Sequence, residues 1–597
     1  MATASAMNRG TVVFDSEVYR DYYLVMFRNI ETGKVAYYEQ YDTQEFEADK
    51  VRWILRNFTL VSFNGLHFDM PILALALQGA SNAQLKECCD LIIDGNLPPW
   101  DINARYGIET PHVDHIDLFD VAPGTASLKI YGGRLHCRRM QDLPITPEAS
   151  IAPSDRAILI TYCRNDLETT EALHRSLTPQ LQLREQMSKL YGQDLRSKSD
   201  AAIAEAVLKS EIAKAQGEAL VRPVIRPGTT YRYRPPVYIG FELPVLQEAL
   251  AVVRDARFIV ADSGKVVIPS EISNLKITIG SSTYRMGIGG LHSTESTAAH
   301  VADETTLLVD RDVASYYPAI ILQGLYPRHL GQAFLEVYRT IVNTRLKAKA
   351  EGNRAIADSL KIVINASFGK MGSKWSYLYS PDLMIQVTMT GQLTLLMLIE
   401  WLEAEGIPVV SANTDGVVIK CPSHKEALMD NIVAAWEICT GFDTEAARYK
   451  ALYSRDVNNY IALKEDGGYK AKGVYTPTGL QKNPAMNICV NAVVRCLLDG
   501  TPVYETIAAC EDIRQFVTIR TVKGGAEKDG EFLGRAVRWY YSTQAEGTIN
   551  YKINGYKVPL TEGAKPLMQL PDAFPDDIDY WRYIREAEDI LREIGHA

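Results

Sequence analysis

The sequence predicts a multidomain protein that combines α/β and α+β domains. The chain has 597 residues, 47% of them hydrophobic and 23% charged, so it can form several globular domains. Its first third alternates short apolar runs with segments of helical spacing, which predicts a mixed sheet flanked by helices. Further along, an apolar strand ending in carboxylates precedes two helical segments and a hairpin, which predicts a second sheet-and-helix domain.

Apolar periodicity and turn residues place the elements of the first third. One helix is predicted over Asp155 to Leu177, and proline and glycine residues between Gln193 and Pro236 predict a domain boundary. The predicted strands are Thr11 to Glu17, Tyr22 to Phe27, Lys34 to Tyr41 and Leu60 to Phe63.

The middle of the chain predicts an antiparallel helix pair followed by a hairpin. The two helices are expected over Leu335 to Ala350 and Asn353 to Phe368, and the hairpin over Pro408 to Lys420. The residues at the hairpin tip are Asn413, Thr414, Asp415 and Gly416.

Charge and targeting signals limit the function. A net charge of −10 argues against indiscriminate nucleic-acid binding, although seven basic and two acidic residues form a local basic segment over 343–375. Nine scattered cysteines without a Cys-x-x-Cys pair favour a reducing cytoplasm over a zinc site. The start lacks a signal-peptide core and the apolar stretch Leu393 to Leu402 contains Glu400, so we expect neither secretion by that route nor a membrane span.

A strand beginning near Leu307 carries two carboxylates to its end. Asp310 and Asp312 lie two residues apart and therefore on one strand face, so the pattern alone does not choose between them. A carboxylate can bind Mg²⁺, and free N–H groups of the following turn can bind phosphate oxygens. Both this turn and the Asp-Gly pair at Asp415 are also common in plain architecture. The turn residues are Ser315, Tyr316, Tyr317 and Pro318.

The segment between the strand and the hairpin supplies cations. Lys361, Asn365 and Phe368 are spaced as neighbours on one helix face, and this ammonium, amide and ring would be an unusual core stripe. Arg345 and Lys349 form a second cationic pair on the preceding helix. Carboxylates on adjoining strands and a cationic helix face are the groups that metal-dependent phosphoryl transfer requires.

A separate acidic set lies in the N-terminal third. Asp15 and Glu17 alternate along a strand and share a face, Asp69 follows the next apolar run, and Tyr162 and Asp166 are four residues apart on a helix. Four converging carboxylates would repel one another unless cations lay between them, so the set predicts a metal pair. Each motif alone is weak, since Asp-x-Glu occurs often by chance.

Taken in order, these motifs resemble family B DNA polymerases preceded by a DEDDy 3′-to-5′ proofreading exonuclease. The strand after Leu307 resembles the family's Asp-x-x-Ser-Leu-Tyr-Pro-Ser-Ile, whose spacing selects Asp312. The segment Lys361 to Gly369 resembles Lys-x-x-x-Asn-Ser-x-Tyr-Gly, and the hairpin tip resembles Asp-Thr-Asp-Ser. One departure is that Asn413 replaces the first Asp of that hairpin, so the site would use two acidic ligands rather than three.

The resemblance implies roles for the residues of the polymerase motifs. Asp312 and Asp415, with the backbone of Val313, would hold two Mg²⁺ or Mn²⁺ ions, while Tyr317 would exclude a ribose 2′-OH. Phe368 would pack under the nascent base pair. The full set implied to bind the dNTP is Ser315, Tyr316, Tyr317, Arg345, Lys349, Lys361, Asn365 and Phe368.

The resemblance also implies roles in proofreading and in DNA binding. Asp15, Glu17, Asp69 and Asp166 would hold the exonuclease metals, and Tyr162 would orient the attacking water. The implied DNA contacts are Asn64 and Phe68 on a frayed 3′ end, Gly289 and Gly290 in a linking segment, and Tyr460, Lys470 and Lys472 at the primer.

The family plan implies an RNase H-like exonuclease domain followed by a right-hand polymerase. The segments expected are exonuclease 1–190, a linking region 191–300, palm 301–334 and 376–480, fingers 335–375 and thumb 481–597. Asp312 and Lys361 are 49 positions apart, and Lys361 and Asp415 are 54 apart. This spacing leaves little room for the insertions of protein-primed polymerases and favours a nucleic-acid primer.

The expected protein is therefore a monomeric, phage-like DNA polymerase of the bacterial host cytoplasm. Its expected partners are primer-template DNA, dNTPs and replication accessory proteins. Two alternatives remain open: an exonuclease whose polymerase half only holds DNA, and a DNA-binding replication protein whose polymerase site is weakened at Asn413.

Overall fold

A computed structural model describes residues 9–42, 44–108, 111 and 113–596. The chain divides into two compact units. Unit 1 contains Met1–Ser199, Thr478–Ile488 and Ala509–Tyr583, and unit 2 contains Asp200–Pro477, Cys489–Ala508 and Ile584–Ala597. The predicted multidomain α/β and α+β class is confirmed, because each unit has its own sheet and helices.

The N-terminal part of unit 1 is a mixed sheet with helices on both faces. Its strands are β1 (Thr11–Val18), β2 (Tyr22–Asn29), β3 (Val35–Tyr41), β4 (Thr59–Ser62) and β5 (His115–Asp117). Its helices are α1 (Ala48–Asn57), α2 (Asp69–Leu77), α3 (Asn82–Ile93), α4 (Pro99–Tyr106), α5 (Leu128–Arg134), α6 (Pro153–Ser176) and α7 (Thr178–Tyr191). The predicted meander and the predicted helix at 155–177 are confirmed.

The sheet has the strand order β3-β2-β1-β4-β5, with β1, β2 and β3 antiparallel and β4 and β5 parallel to β1. This is the strand order of the RNase H-like fold. Because side chains alternate along β1, Val12 and Phe14 pack with α1, α2, α3 and α4 on one face, whereas Val13 packs with α6 and α7 on the other. The carboxylates of β1 lie among these apolar residues.

Unit 2 is built around a larger sheet. The strands over 230–471 are β6 (Thr230–Tyr231), β7 (Phe258–Val260), β8 (Val266–Val267), β9 (Ile277–Ile279), β10 (Ser282–Met286), β11 (Leu291–Ser293), β12 (Ala298–Val301), β13 (Thr306–Val313), β14 (Val409–Asn413), β15 (Gly416–Pro422), β16 (Thr444–Asp456), β17 (Asn459–Lys464) and β18 (Tyr469–Ala471). The helices are α8 (Asp200–Gln216), α9 (Pro244–Asp255), α10 (Ser270–Ser273), α11 (Tyr316–Leu322), α12 (Gly331–Ala350), α13 (Arg354–Met371), α14 (Pro381–Ala404) and α15 (Glu426–Thr440), with 3₁₀ turns at Ser423–Lys425 and Gly473–Tyr475.

The order in this sheet is β18-β17-β16-β13-β15-β14-β11-β10-β9, so β13 lies between the hairpin strand β15 and the long strand β16. The predicted hairpin is confirmed as β14 and β15. Helix α14 is long and apolar enough to cross a membrane by length and composition alone, but most of its side chains are buried inside unit 2, as in the core helix of a globular domain.

The predicted helix pair is confirmed as α12 and α13, which are joined by the short turn 351–353. Helix α8 packs against both of them, and its Glu205 binds Lys370 of α13 at 2.9 Å. The sequence predicts a domain boundary over 193–236, whereas 200–216 of this range form α8. The prolines follow α8 rather than interrupt it.

The C-terminal segment is shared between the two units. It contains α16 (Asn487–Asp499), α17 (Val503–Ala508), α18 (Ile513–Phe516), β19 (Thr518–Lys528), β20 (Glu531–Tyr541), β21 (Asn550–Tyr551), β22 (Ala564–Pro566) and α19 (Tyr580–Glu593). Within unit 1, Ile519 and Ala536 of the β19–β20 hairpin pack on Ile130 of α5. The segment 481–597, expected as a single thumb, thus does not form one compact unit.

Candidate active sites

Asp312 and Asp415 meet at one end of the large sheet. Asp312 pairs with Gly416 across the β13–β15 ladder, and the Val313 N–H donates a 2.7 Å hydrogen bond to the Asp415 carbonyl. A Cβ added at Gly416 would collide with Oδ1 of Asp312. The absence of a side chain at Gly416 therefore lets the first motif approach the hairpin tip closely.

The two turns beside these carboxylates adopt unusual backbone conformations. Thr414 has φ of +61° and Ser315 has φ of +50°, in the left-handed region that non-glycine residues rarely occupy. The Thr414 N–H donates to the Leu291 carbonyl at 2.8 Å, and the Asp415 N–H donates to the Asn413 carbonyl at 2.7 Å. Such conformations cost about 1–3 kcal/mol each and persist where surrounding contacts fix them.

The structure distinguishes Asp310 from Asp312. Asp310 is buried, accepts a hydrogen bond from Tyr449 and lies 3.0 Å from the Lys470 ammonium. Asp312 is about half exposed, at 51% of its side chain, and lies 3.7 Å from the same ammonium. Burial, followed by the charge of Asp310, raises the pKa of Asp312. Asp312 is thus the more open of the two carboxylates, and it is the one that the spacing of the family motif selects.

A cleft of about 480 Å³ opens beside Asp312 and Asp415. All residues predicted to bind the dNTP line it, and so does Val313. Burial leaves the Arg345 Nε without a hydrogen-bond partner among the described residues. Arg345, Lys349 and Lys361 place three cationic side chains on the wall of the cleft, which fits an anionic ligand. The predicted residues on its wall are Ser315, Tyr316, Tyr317, Arg345, Lys349, Lys361, Asn365 and Phe368.

The two tyrosines of this cleft differ in availability. Tyr316 is buried, and its hydroxyl donates to the Gly391 carbonyl at 2.6 Å, so its ring packs into the core of unit 2. The Tyr317 ring instead packs on Phe368 with ring centroids 4.5 Å apart, and its hydroxyl donates to the Gly289 carbonyl at 2.8 Å. Burial raises the pKa of Tyr317 to about 12, so this hydroxyl remains a donor at neutral pH.

The glycine segment before β11 is fixed to the hairpin tip. Gly290 has φ of +149°, and a Cβ there would meet Thr414 at 2.9 Å. The buried side-chain amide of Gln392 bonds both backbone groups of Gly287. It accepts from the Gly287 N–H at 2.9 Å and donates to the Gly287 carbonyl at 2.8 Å. Sequence reasoning missed Gln392, because only the tertiary fold places it beside this segment.

A smaller cavity of about 100 Å³ lies behind the carboxylates and is lined by Tyr460, Lys470 and Lys472. Burial raises the pKa of Asp415, and Lys472 opposes that shift. Glu295 also lines this cavity and accepts a hydrogen bond from Ser411 at 2.6 Å. It is a carboxylate that the sequence analysis did not single out.

Asn413 has a structural use that the sequence did not reveal. Its side-chain nitrogen donates to the Val457 carbonyl at 3.0 Å and to Oδ1 of Asn458 at 3.2 Å. Both acceptors belong to the turn between β16 and β17. A carboxylate has no proton to donate at neutral pH, so the amide is suited to this position and an aspartate is not.

The N-terminal carboxylates converge in unit 1. Oxygen atoms of Asp15 and Glu17 and the sulfur of Cys163 lie within 4.8 Å of one another, a spacing that could hold a metal ion. Burial, and then the charges of Asp69, Asp166 and Glu17, raise the pKa of Asp15. Burial also raises the pKa of Asp69 to about 7, although Ser16 donates to this carboxylate at 2.5 Å.

A lysine lies within this acidic group. Lys129 of α5 binds Asp166 of α6, and its ammonium lies 4.3 Å from the centre of the Tyr162 ring. Tyr162 and Asp166 are both buried, so their four-residue spacing does not mark an exposed pair. Sequence reasoning missed Lys129, which is 37 positions before Asp166 and has no local signal.

Asn64 and Phe68 lie on the turn that leads to Asp69. Asn64 has φ of +67°, and its N–H donates to Asp117 at 2.7 Å, while the Leu66 N–H donates to the other oxygen of Asp117 at 2.9 Å. Asp117 therefore fixes the turn, and both predicted DNA contacts remain partly exposed.

The donor chemistry of both carboxylate groups fits hard divalent cations. Carboxylate oxygens are the ligands that Mg²⁺ and Mn²⁺ prefer. In each group burial and neighbouring acids raise the pKa values, and a bound cation would relieve that repulsion. In unit 1 the candidate ligands are Asp15, Glu17, Asp69 and Asp166, and in unit 2 they are Asp312, Asp415 and the Val313 backbone.

One relative in sequence and one solved structure are similar to this chain. DNA polymerase II of Escherichia coli (strain K12) is 26% identical over 159 aligned residues, which cover 21% of this chain and 20% of that protein. The match therefore spans about a fifth of the length of that relative. A family B DNA polymerase of the archaeon Pyrobaculum calidifontis aligns with 99% of this chain and 78% of its own, at 15% identity and a TM-score of 0.43. No family model matches the chain.

The chain is thus similar in sequence to a DNA polymerase, as its motifs predicted. The match covers part of the chain only.

Proposed function

We propose that this protein is a template-directed DNA polymerase that also removes mispaired 3′ ends with its own exonuclease. The observation that carries the proposal is that each unit contains a separate carboxylate group, and that the group in unit 2 faces a cleft walled by Arg345, Lys349 and Lys361. An acidic metal site opposite cations suits a triphosphate, whereas an acidic site with a single lysine suits hydrolysis.

In the polymerase cleft, Asp312, Asp415 and the Val313 carbonyl would hold two Mg²⁺ or Mn²⁺ ions, which when bound stabilise the attacking and leaving oxygens. Lys361, Arg345 and Lys349 bind the triphosphate, and Asn365 lies on the same helix face as Lys361. The backbone N–H groups after Ser315 are available to phosphate oxygens.

The polymerase site also supplies the proposed contacts to the sugar and to the primer. The Tyr317 ring, supported by Phe368, closes the cleft on the side where a ribose 2′-OH would extend. Lys472, Tyr460 and the Gly289–Gly290 segment contact the primer-template. Lys470 binds the buried Asp310 at 3.0 Å and lies farther from Asp312, at 3.7 Å.

In the exonuclease site, Asp15, Glu17, Asp69 and Asp166 would hold a second pair of divalent cations. Tyr162 orients the attacking water. Asn64 and Phe68 contact the unpaired 3′ end, where an aromatic ring can stack on any base.

The proposed partners are primer-template DNA, dNTPs and replication accessory proteins, and the proposed setting is phage replication by a monomer in the cytoplasm of the bacterial host. The turn 351–353 joins α12 directly to α13, in agreement with a nucleic-acid primer rather than a protein primer. The pairing of Asn413 with Val457 speaks against the alternative of a degenerate polymerase site, since it gives the asparagine a structural reason.

Primer extension and single-strand degradation test the proposal with two variants. We expect Asp415→Ala to lower dNTP incorporation by at least about 10²-fold, the range for removing one preorganised electrostatic group, and to leave degradation intact. Asp15→Ala should do the reverse. Each variant is the folding control for the other, because each retains one activity.

Three results would contradict the proposal. Full primer extension by Asp415→Ala would show that the assignment of the polymerase site is wrong. Full degradation of single strands by Asp15→Ala would show that the assignment of the exonuclease site is wrong. Initiation that depends on a terminal protein, without extension of a DNA primer, would contradict the proposed priming mode.

A further inference from the structure

Unit 1 contains a basic cleft that the proposed catalytic residues do not use. The cleft has a volume of about 500 Å³ and is formed by Arg138 and Arg139 on one side and by helix α6 on the other. The α6 residues on its wall are spaced as one helix face. They are Thr161, Arg164, Asn165, Glu168 and Thr169.

The backbone that carries Arg138 and Arg139 is held rigidly. The fully buried guanidinium of Arg538 donates to the Cys137 carbonyl at 3.0 Å and to the Arg138 carbonyl at 3.2 Å. The Leu570 N–H donates to the same Arg138 carbonyl at 2.8 Å. Because these bonds fix the backbone, the two exposed arginines extend from a defined position.

The charge of the cleft favours an anion. Arg138, Arg139 and Arg164 are exposed, and Glu168 is the single acidic residue among the side chains that line the cleft. Arg138 binds Asp572 at 2.9 Å, but both side chains are exposed, and such surface pairs contribute little. Arginine forks match phosphate oxygens in geometry as well as in charge.

The cleft adjoins the carboxylate group of the proposed exonuclease. Asn165 lines the cleft and also hydrogen-bonds to the neighbouring Asp166. Thr161 and Tyr162 are likewise adjacent in sequence, with Thr161 lining the cleft and Tyr162 in the catalytic group. The two faces of α6 are therefore about 100° apart around the helix axis. The cleft residues and the pair Tyr162 and Asp166 therefore lie on neighbouring faces of the same helix, and Asn165 links the two faces.

We propose that this cleft binds the phosphodiester backbone of the single strand that the exonuclease degrades, with Arg139 and Arg164 as its main phosphate contacts. This inference rests on the proposed exonuclease function. It adds a binding site to that function, since the residues predicted to contact the strand were Asn64 and Phe68.

The test is the double variant Arg139→Gln/Arg164→Gln, compared with Arg56→Gln/Arg105→Gln. The control removes two exposed arginines of unit 1 from α1 and α4, which pack on the opposite face of the sheet from α6. Degradation of a 5′-labelled oligo(dT) is followed at several NaCl concentrations. We expect a higher KM and an unchanged kcat, and a salt dependence of log KM that is shallower by about 1.4, or about 0.7 for each lost contact to a single strand.

Identical KM values and salt slopes for the test and control variants would overturn the proposal that the cleft binds the single strand. The proposed exonuclease function would not be contradicted by that result. A lower kcat with an unchanged KM would also overturn it, because the arginines would then act on the chemical step. If the wild type degrades no single strand, the proposed function fails instead. Anisotropy of the same oligonucleotide in EDTA then tests the cleft alone: a shallower salt slope for the test variant supports it, and equal slopes reject it.

Discussion

The two carboxylate groups handle charge in different ways. In unit 1, Glu17, Asp69 and Asp166 are buried, and Lys129 is the cation bound within the group. In unit 2, Asp312 and Asp415 are more open, and the lining of the cleft beside them includes three cations and the acidic Glu445. A water nucleophile and one phosphodiester bring little charge, whereas a triphosphate brings several negative charges. Under the proposed functions, the cations of the unit 2 cleft bind the larger anion, whereas the unit 1 group serves hydrolysis with fewer cations.

The geometry of the two groups also differs. Asp15 and Glu17 come from one strand and Asp166 from a packed helix, so the unit 1 group is built by core packing. Asp312 and Asp415 come from a strand end and a hairpin tip, so the unit 2 group depends on a close approach of two backbones. Substitutions should therefore damage the unit 2 group through backbone contacts and the unit 1 group through side-chain charge.

The largest effect is expected for Gly416→Ser, which introduces the residue of the family motif. Its Cβ would displace the Asp312 carboxylate, and a misplacement of about 1 Å costs about 10²-fold in rate. Primer extension should fall by that amount while single-strand degradation is unchanged. Extension at the wild-type rate would show that Asp312 tolerates the displacement and would weaken the backbone argument.

The next effect is expected for Lys129→Met in unit 1. Removing the ammonium frees Asp166 from its partner, and loss of such supporting groups costs about 10- to 100-fold. Degradation should fall by this factor and extension should stay constant. Lys86→Met is the matched control, since Lys86 is another half-buried lysine of unit 1 and pairs with Asp90. Equal losses in both variants would indicate a folding defect rather than a role in the site.

Much of both sites could be predicted from the sequence because the chemistry follows local spacing. Lys361, Asn365 and Phe368 share a helix face in any helix, and Asp15 and Glu17 share a strand face in any strand. The spacing of the family motif then selects Asp312, and in the structure Asp310 is buried and bonded to Tyr449 and Lys470.

What the sequence could not predict depends on contacts between distant residues. Gln392 is 105 positions from the Gly287 peptide that it holds, and Arg538 is 401 positions from Cys137. The prolines that follow α8 indicated a boundary, and the helix itself was not predicted. Asn413 was interpreted as a missing charge, because its partner Val457 is 44 positions away.

A smaller effect is expected for Asn413→Asp, which restores the family carboxylate. The variant loses two donated hydrogen bonds and turns a carboxylate toward the Val457 carbonyl, at a cost of about 1–3 kcal/mol. We expect a lower Tm and extension reduced about tenfold rather than increased. Asn413→Ala separates the lost bonds from the added charge and should be the less impaired of the two. Faster extension by Asn413→Asp would show that the polymerase group is limited by its missing carboxylate.

The smallest effect is expected for Tyr317→Phe, which removes one hydroxyl and retains the ring. The lost hydrogen bond to the Gly289 carbonyl is worth about 0.5–1.5 kcal/mol, because water can replace part of it. Primer-template KM should rise about two- to tenfold, with the preference for dNTPs over ribonucleotides unchanged. Tyr317→Val should instead admit ribonucleotides, since it removes the ring that packs on Phe368. If Tyr317→Phe also admitted ribonucleotides, sugar selection would depend on the hydrogen bond to the glycine segment rather than on the ring alone. The glycine segment would then be part of the sugar-binding wall of the cleft.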